Sequence, residues 1–212
     1  MKDYLTLERA ACAEFVERRS RFIGYCKPIV REEEATAFIS EIKSKHWDAS
    51  HNVYAYVLRE GQIRRYSDDG EPQGTAGIPV LEVLQKSGLT DAVVVVTRYF
   101  GGVLLGAGGL VRAYSHGAKL AVEAGGMVQM RLCAELSLHC DYTQYGKISA
   151  LIPAEGGVID DTIFTDRVEL CFHLPESEVE DMEKKLADST SGTVKTVEKS
   201  KNFYSFQDFY EK

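Results

Sequence analysis

Residues 93–114 read VVVVTRYFGGVLLGAGGLVRAY, and the rest of the chain is best understood outward from them. Val93, Val94, Val95, Val96 and Thr97 are a continuous run of β-branched side chains, which suits a strand that is apolar on both faces. Arg98-Tyr99-Phe100 then introduces Gly101, Gly102, Gly106, Gly108 and Gly109, a glycine density that lets backbone take up positive φ or approach another group closely. After the glycines, Leu110, Val111, Tyr114, Ala118, Ala121 and Val122 recur at helical spacing until Gly125-Gly126 stops the pattern. The unit is a strand, a glycine-rich loop and a helix.

Such a unit is able to bind an anion, because a helix start presents unpaired N–H groups and the positive end of a dipole. It is neither of the common nucleotide motifs. From Gly101 to Gly106 the spacing is that of a phosphate-binding loop, but Ala107-Gly108 stands where Lys-Ser/Thr is required. Gly106-Ala107-Gly108 opens a dinucleotide fingerprint whose third glycine falls on Val111. The plainer alternative is tight packing of the loop beneath a neighbouring element. Arg112, a cation at the wrong end of a helix dipole, calls for a compensating anion. Ser67-Asp68-Asp69-Gly70-Glu71-Pro72 is a turn that supplies three carboxylates. Arg98 and Arg112 either pair with that turn or contact an external phosphate.

Upstream, residues 15–29 read as one extended stretch, with Arg18, Arg19 and Arg21 crowded around Ser20. In 31–46, Ala35, Phe38, Ile39 and Ile42 fall on one helical face, with Glu32, Glu33 and Glu34 near the positive dipole end. Residues 51–58 and 63–67 form two strands joined by Arg59-Glu60-Gly61-Gln62, and 75–86 form a helix that tolerates Pro79 in its first turn and ends at Gly88. Residues 125–131 are the expected join between a domain over 1–130 and a second over 131–212. In the second, strands at 134–142, 157–165, 167–174 and 193–200 alternate with helices at 144–152 and 176–186. The order βαββαβ is that of a ferredoxin-like fold. The fold class is therefore α+β in two domains, and the late aromatics Phe203, Tyr204, Phe206, Phe209 and Tyr210 are expected to anchor the tail.

Several of these stretches together resemble the signature of the IMPACT/YigZ family. They are Arg98-Tyr99-Phe100-Gly101-Gly102, Leu105-Gly106, Gly108-Gly109-Leu110 and Arg112-Ala113-Tyr114, with Ser20-Arg21-Phe22, His51-Asn52, Tyr54-Ala55-Tyr56, Asp68-Asp69-Gly70-Glu71-Pro72, Gly74-Thr75-Ala76-Gly77 and Pro79. The likeness covers roughly the first 130 residues. It implies a first domain like domain IV of elongation factor G, a superfold shared with a ribosomal protein, and a ferredoxin-like second domain. It also implies that eukaryotic members regulate translation through a kinase-activating partner, and that bacterial members bind nucleic acid or the ribosome.

The net charge of −7 is unevenly spread: residues 1–131 hold 17 Lys and Arg against 16 Asp and Glu, and 132–212 hold 8 against 16. Any phosphate contact therefore belongs to the first half. With 44% hydrophobic residues the chain has a real core to bury,. No stretch resembles a signal peptide or a membrane span, so a cytoplasmic protein is expected. Cys12, Cys26, Cys133, Cys140 and Cys171 lack metal or disulfide-framework spacing and are expected to be reduced and mostly buried.

Two functions remain open. The first is a non-catalytic module linked to translation that binds RNA, the ribosome or a translation-associated protein. Its contacts would be Arg21, Arg64, Arg65, Arg98 and Arg112, with Tyr99 and Phe100 stacking bases and Gly101, Gly102, Gly106, Gly108 and Gly109 shaping the loop. The second is a hydrolase or transferase acting on a phosphorylated small molecule, with His51, Asp68 or Asp69 as base. His51 has a plainer reading as a strand histidine satisfied by hydrogen bonds, and the acidic turn lacks the ligand alternation of a calcium site. The first is preferred because no nucleophile and base can be paired from these residues; neither a cofactor nor a metal is expected.

Overall fold

The structure is a computed structural model and describes residues 3–206. Among the described residues the chain divides into two compact units, Tyr4–Gln129 and, together with Asp3, residues 130–206.

In the first unit, strands β2 (Ala11–Glu17), β3 (Ser20–Pro28), β4 (His51–Val57), β5 (Arg64–Ser67) and β6 (Ala92–Tyr99) form one sheet in the order β2-β3-β6-β4-β5, every neighbour antiparallel. The valine run supplies β6, the central strand, and all four valines are fully buried. Alternation explains why. Val94 and Val96 pack with Phe22 beneath helices α2 (Gly77–Lys86) and α3 (Ala107–Gly125). Val93 and Val95 pack on the other face, against Ala35, Phe38, Ile39 and Ile42 of helix α1 (Glu32–Lys45). A side-chain period of two with apolar residues in both phases is what a strand covered on both faces requires. Strand β1 (Tyr4–Leu7) precedes this sheet in the chain, and β7 (Met127–Cys140) follows α3.

The stretch 15–29 is not one extended segment. It is a hairpin, with Glu17 opposite Ser20 and the two-residue turn Arg18-Arg19 between them. Both arginines take positive φ, 45° and 68°. A two-residue hairpin loop of this kind needs left-handed backbone at both central positions, and Asn-Gly is the usual signal. Two arginines give no such signal, so the turn was hidden.

In the second unit β7 is followed by α4 (Tyr142–Ala154), β8 (Val158–Phe164), β9 (Val168–Pro175), α5 (Val179–Thr190) and β10 (Thr196–Phe206). The strand order β10-β7-β9-β8 completes the split βαβ arrangement,. Leu136, Leu138, Leu170, Phe172 and Leu174 bury one sheet face against Ile148 and Ile152 of α4 and Met182 and Leu186 of α5. On β10, Tyr204 stacks on the His173 ring at 3.7 Å and donates its O–H to Glu135 at 2.5 Å. Hydrogen bonds from Ser200, Tyr204 and Asn202 hold the Glu135 carboxyl down to about 2. Phe209 and Tyr210 lie outside the described residues.

Candidate functional site

The glycine loop, the start of α3, the β2–β3 turn and the acidic turn meet at one end of the first sheet. Behind the loop the polar groups are closed on one another. Arg98, 5% exposed, donates from Nη1 to Glu71 Oε1 at 2.6 Å and from Nη2 to Ser20 Oγ at 3.4 Å. Tyr114 donates its O–H to the same Glu71 oxygen at 2.7 Å, and His51 Nε2 stands 3.8 Å from the other. Burial, then the Glu71 charge, push the Tyr114 phenol up, which keeps the proton it donates,. Further hydrogen bonds support this buried ion pair, from Tyr114 to Glu71 and from Arg98 Nη2 to Ser20, while the Arg98 Nε is buried without a hydrogen-bond partner among the described residues,. The Arg98 guanidinium lies 5.5 Å from the Phe22 ring centroid and 5.3 Å from that of Phe100.

The acidic turn is likewise occupied. Asp68 accepts from the N–H groups of Gly74, Ala76 and Gly77 at 2.7–3.1 Å, capping the start of α2 from outside that helix,. Asp69 receives Lys43 Nζ and the Asn52 N–H, each at 2.6 Å, and its carbonyl stands 2.9 Å from His51 Nδ1. His51, Asp68 and Asp69 are thus brought together, but their polar atoms serve the turn. Of the arrangements open to Arg98 and Arg112, the observed one is a buried Arg98 paired with Glu71 and an exposed Arg112 with no ion pair among the described residues.

The loop itself turns on two glycines. A Cβ on Gly101 would lie 2.0 Å from the Arg19 carbonyl carbon and oxygen, so only glycine lets this strand end pass the hairpin turn; its N–H donates to Ser20 Oγ at 3.2 Å. Gly106, with φ of 70°, turns the chain into α3, whose first helical bond runs from the Leu110 N–H to the Gly106 carbonyl. Gly102 also takes positive φ, and Gly108 and Gly109 lie in the first turn of α3. Arg112 and Arg18 line one cleft of about 230 Å³ with Phe15, Glu17, Leu105 and His116.

Arg21, Arg64 and Arg65 face solvent. Arg21 pairs with Glu14 at 2.5 Å, whereas Arg64 and Arg65 stand exposed on the edge strand β5 without a carboxylate partner among the described residues. Phe100 is 48% exposed. Tyr99 instead faces the α1 side, where its O–H donates to Asp48 and it accepts from His46 Nδ1 at 2.8 Å, while Tyr25 O–H donates to His46 Nε2 at 2.7 Å. Burial first, then Lys45 and Arg21, hold His46 below its ordinary value, consistent with a neutral ring carrying its proton on Nδ1,. Sequence reasoning passed over three features of this end: His46, the strained Arg18-Arg19 turn, and Trp47, which is 83% exposed. Flanks of Lys, Ser, His and Asp around Trp47 were the available sign of its exposure.

Four of the cysteines are held as thiols: burial pushes Cys26 and Cys133 up to about 11, and raises Cys140 and Cys171 as well, while Cys12 is exposed,. Among the described residues no group of His, Cys, Asp and Glu is arranged to hold a metal ion, and no helix is long and apolar enough to cross a membrane.

Residues 18–122 match the family described as the Impact N-terminal domain, and residues 138–193 match a domain of unknown function, DUF1949. The chain is 39% identical to IMPACT family member YvyE of Bacillus subtilis, over 91% of this chain and 89% of that protein. It belongs to the IMPACT family. Another IMPACT family member, YigZ of Escherichia coli, is 37% identical over 84% of this chain and 88% of its own length. The IMPACT homolog of Dictyostelium discoideum is 36% identical, but over 47% of this chain and 29% of its own length. A solved structure titled as that of a hypothetical protein matches with a TM-score of 0.60 and 34% identity, over 94% of this chain and 98% of the other. The Impact N-terminal match includes the hairpin turn, the acidic turn, the glycine loop and Arg112, so the whole of this end is the IMPACT part of the molecule.

Proposed function

We propose that the first unit is a non-catalytic module that binds RNA, free or in the ribosome, in a role linked to translation. The observation that carries this reading is the division of its arginines: Arg98 is neutralised inside, while Arg19, Arg64, Arg65 and Arg112 are exposed with no ion pair among the described residues. Exposed, unneutralised guanidinium groups are suited to phosphate because association releases counterions and the planar fork matches two oxygens. The buried polar cluster speaks against turnover. The Ser20 hydroxyl is enclosed and has no base beside it, and the carboxylates of Asp68 and Asp69 are engaged by backbone and Lys43,.

Binding to ribosomes by co-sedimentation, and to free RNA by anisotropy, across a salt series tests the proposal. Wild type is expected to bind, with affinity falling as salt rises. Arg112→Ala and Arg64→Ala/Arg65→Ala are expected to flatten that dependence, by about 0.7 in log–log slope on a single strand for each phosphate that is no longer neutralised. Absent or salt-insensitive association sinks it. The cleft between Arg18 and Arg112 favours one second reading, a phosphorylated small molecule held there; a screen of phosphate esters with and without magnesium, showing turnover, would establish it.

A further inference from the structure

The β2–β3 turn is strained where nothing in the fold demands arginine. Arg18 and Arg19 both occupy the left-handed region, which Asn-Gly would fill at less cost, and both side chains are exposed,. The surroundings are not neutral packing. Gly101 abuts the Arg19 backbone, which sets the turn beside Phe100. The Phe100 N–H donates to Ser50 Oγ, and the Ser50 N–H to the Arg98 carbonyl, so the 46–50 loop that carries Trp47 lies along the same strand end. Leu104, 81% exposed, belongs to the glycine loop, and Arg112 shares a cleft with Arg18. The carboxylates in the area are Glu17, 4.0 Å from Arg18, Asp48, bound by Tyr99, and Glu14, bound by Arg21.

We infer that this rim binds unpaired nucleic acid, with Trp47 and Phe100 as stacking platforms and Arg18, Arg19 and Arg112 as phosphate contacts. The inference rests on the RNA reading above and narrows it to single strands. Exposed aromatic faces stack on any base, but they have no use for the closed stack of a duplex; the arginines beside them match a backbone that follows the splayed bases. Backbone strain at the turn is then the consequence of holding two cations where the strand passes.

The chain has one tryptophan, so its fluorescence reports on Trp47 alone. Titration of the full chain with an oligouridine, and with a duplex RNA of equal length, is expected to quench Trp47 with the single strand, and Phe100→Ala to weaken binding about tenfold. The double variant Arg18→Asn/Arg19→Gly keeps the turn in its favoured chemistry. It is expected to raise the melting temperature by a few degrees while weakening oligouridine binding about tenfold and lowering the salt slope. If wild type binds oligouridine but Trp47 is not quenched, or the double variant binds as well as wild type, or duplex is preferred, the inference falls and the general RNA reading stands. If wild type binds no RNA, both fall.

Discussion

Arg98 and Arg112 stand on either side of the same glycine loop, yet they live in different worlds. Arg98 is enclosed with Glu71, Tyr114 and Ser20, and its side chain is 6% exposed. Arg112 sits in an open cleft with no carboxylate partner among the described residues. Two arginines of one short segment thus do opposite work: one holds the acidic turn to the sheet, the other faces outward. Charge alone does not mark a binding residue; what matters is whether the fold has already supplied its counterion.

The comparison breaks first at Arg98. Arg98→Ala leaves Glu71 buried without its cation and is expected to lower stability by about 3–5 kcal/mol, seen as a shifted denaturant midpoint. A midpoint near wild type would mean that the pair is not a structural anchor. Next is Gly101→Ala, whose methyl would meet the Arg19 backbone; overpacking there is expected to destabilise by about 1–3 kcal/mol,. A smaller effect shows only with pH. The folded chain holds His46 below 6.5, so the unfolded chain takes the proton more readily and stability falls as pH drops through 6.5,. Comparing the melting temperature above and below that value, wild type is expected to lose more than His46→Gln; equal losses would remove the role given to the Tyr25–His46–Tyr99 chain. Smallest is Arg112→Ala, expected to change stability by less than about 0.5 kcal/mol while reducing RNA binding. A large loss of stability there would erase the contrast with Arg98.

How far the sequence could be read follows from the range over which each signal acts. The central strand and α1 were legible because their patterns are local: β-branched residues in both phases, and Ala35, Phe38, Ile39 and Ile42 at helical spacing. The βαββαβ order of the second unit was legible for the same reason. The hairpin at Arg18-Arg19 was not, because its turn residues oppose the usual preference and only the pairing of Glu17 with Ser20 reveals it. The burial of Arg98 was half legible. Counting by twos from Val94 through Val96 places Arg98 on the face that α2 and α3 cover, but its partner Glu71 lies 27 positions away and no local pattern joins them. Phe100 meets the same difficulty, since its bond to Ser50 depends on how the 46–50 loop closes on the end of β6.

The central place of β6 also bears on how the molecule is made. Its partners β3 and β4 both precede it, at Ser20–Pro28 and His51–Val57, while β6 itself arrives only at Ala92–Tyr99. At about 5–20 residues per second of synthesis, β3 waits several seconds for the strand that joins it to β4. Until then only the Ile23 face of the β2–β3 hairpin has a partner, in α1, while the Phe22 face has nothing to pack on. In a nascent chain that face therefore stays uncovered until the four valines and, after them, Tyr114 of α3 have emerged.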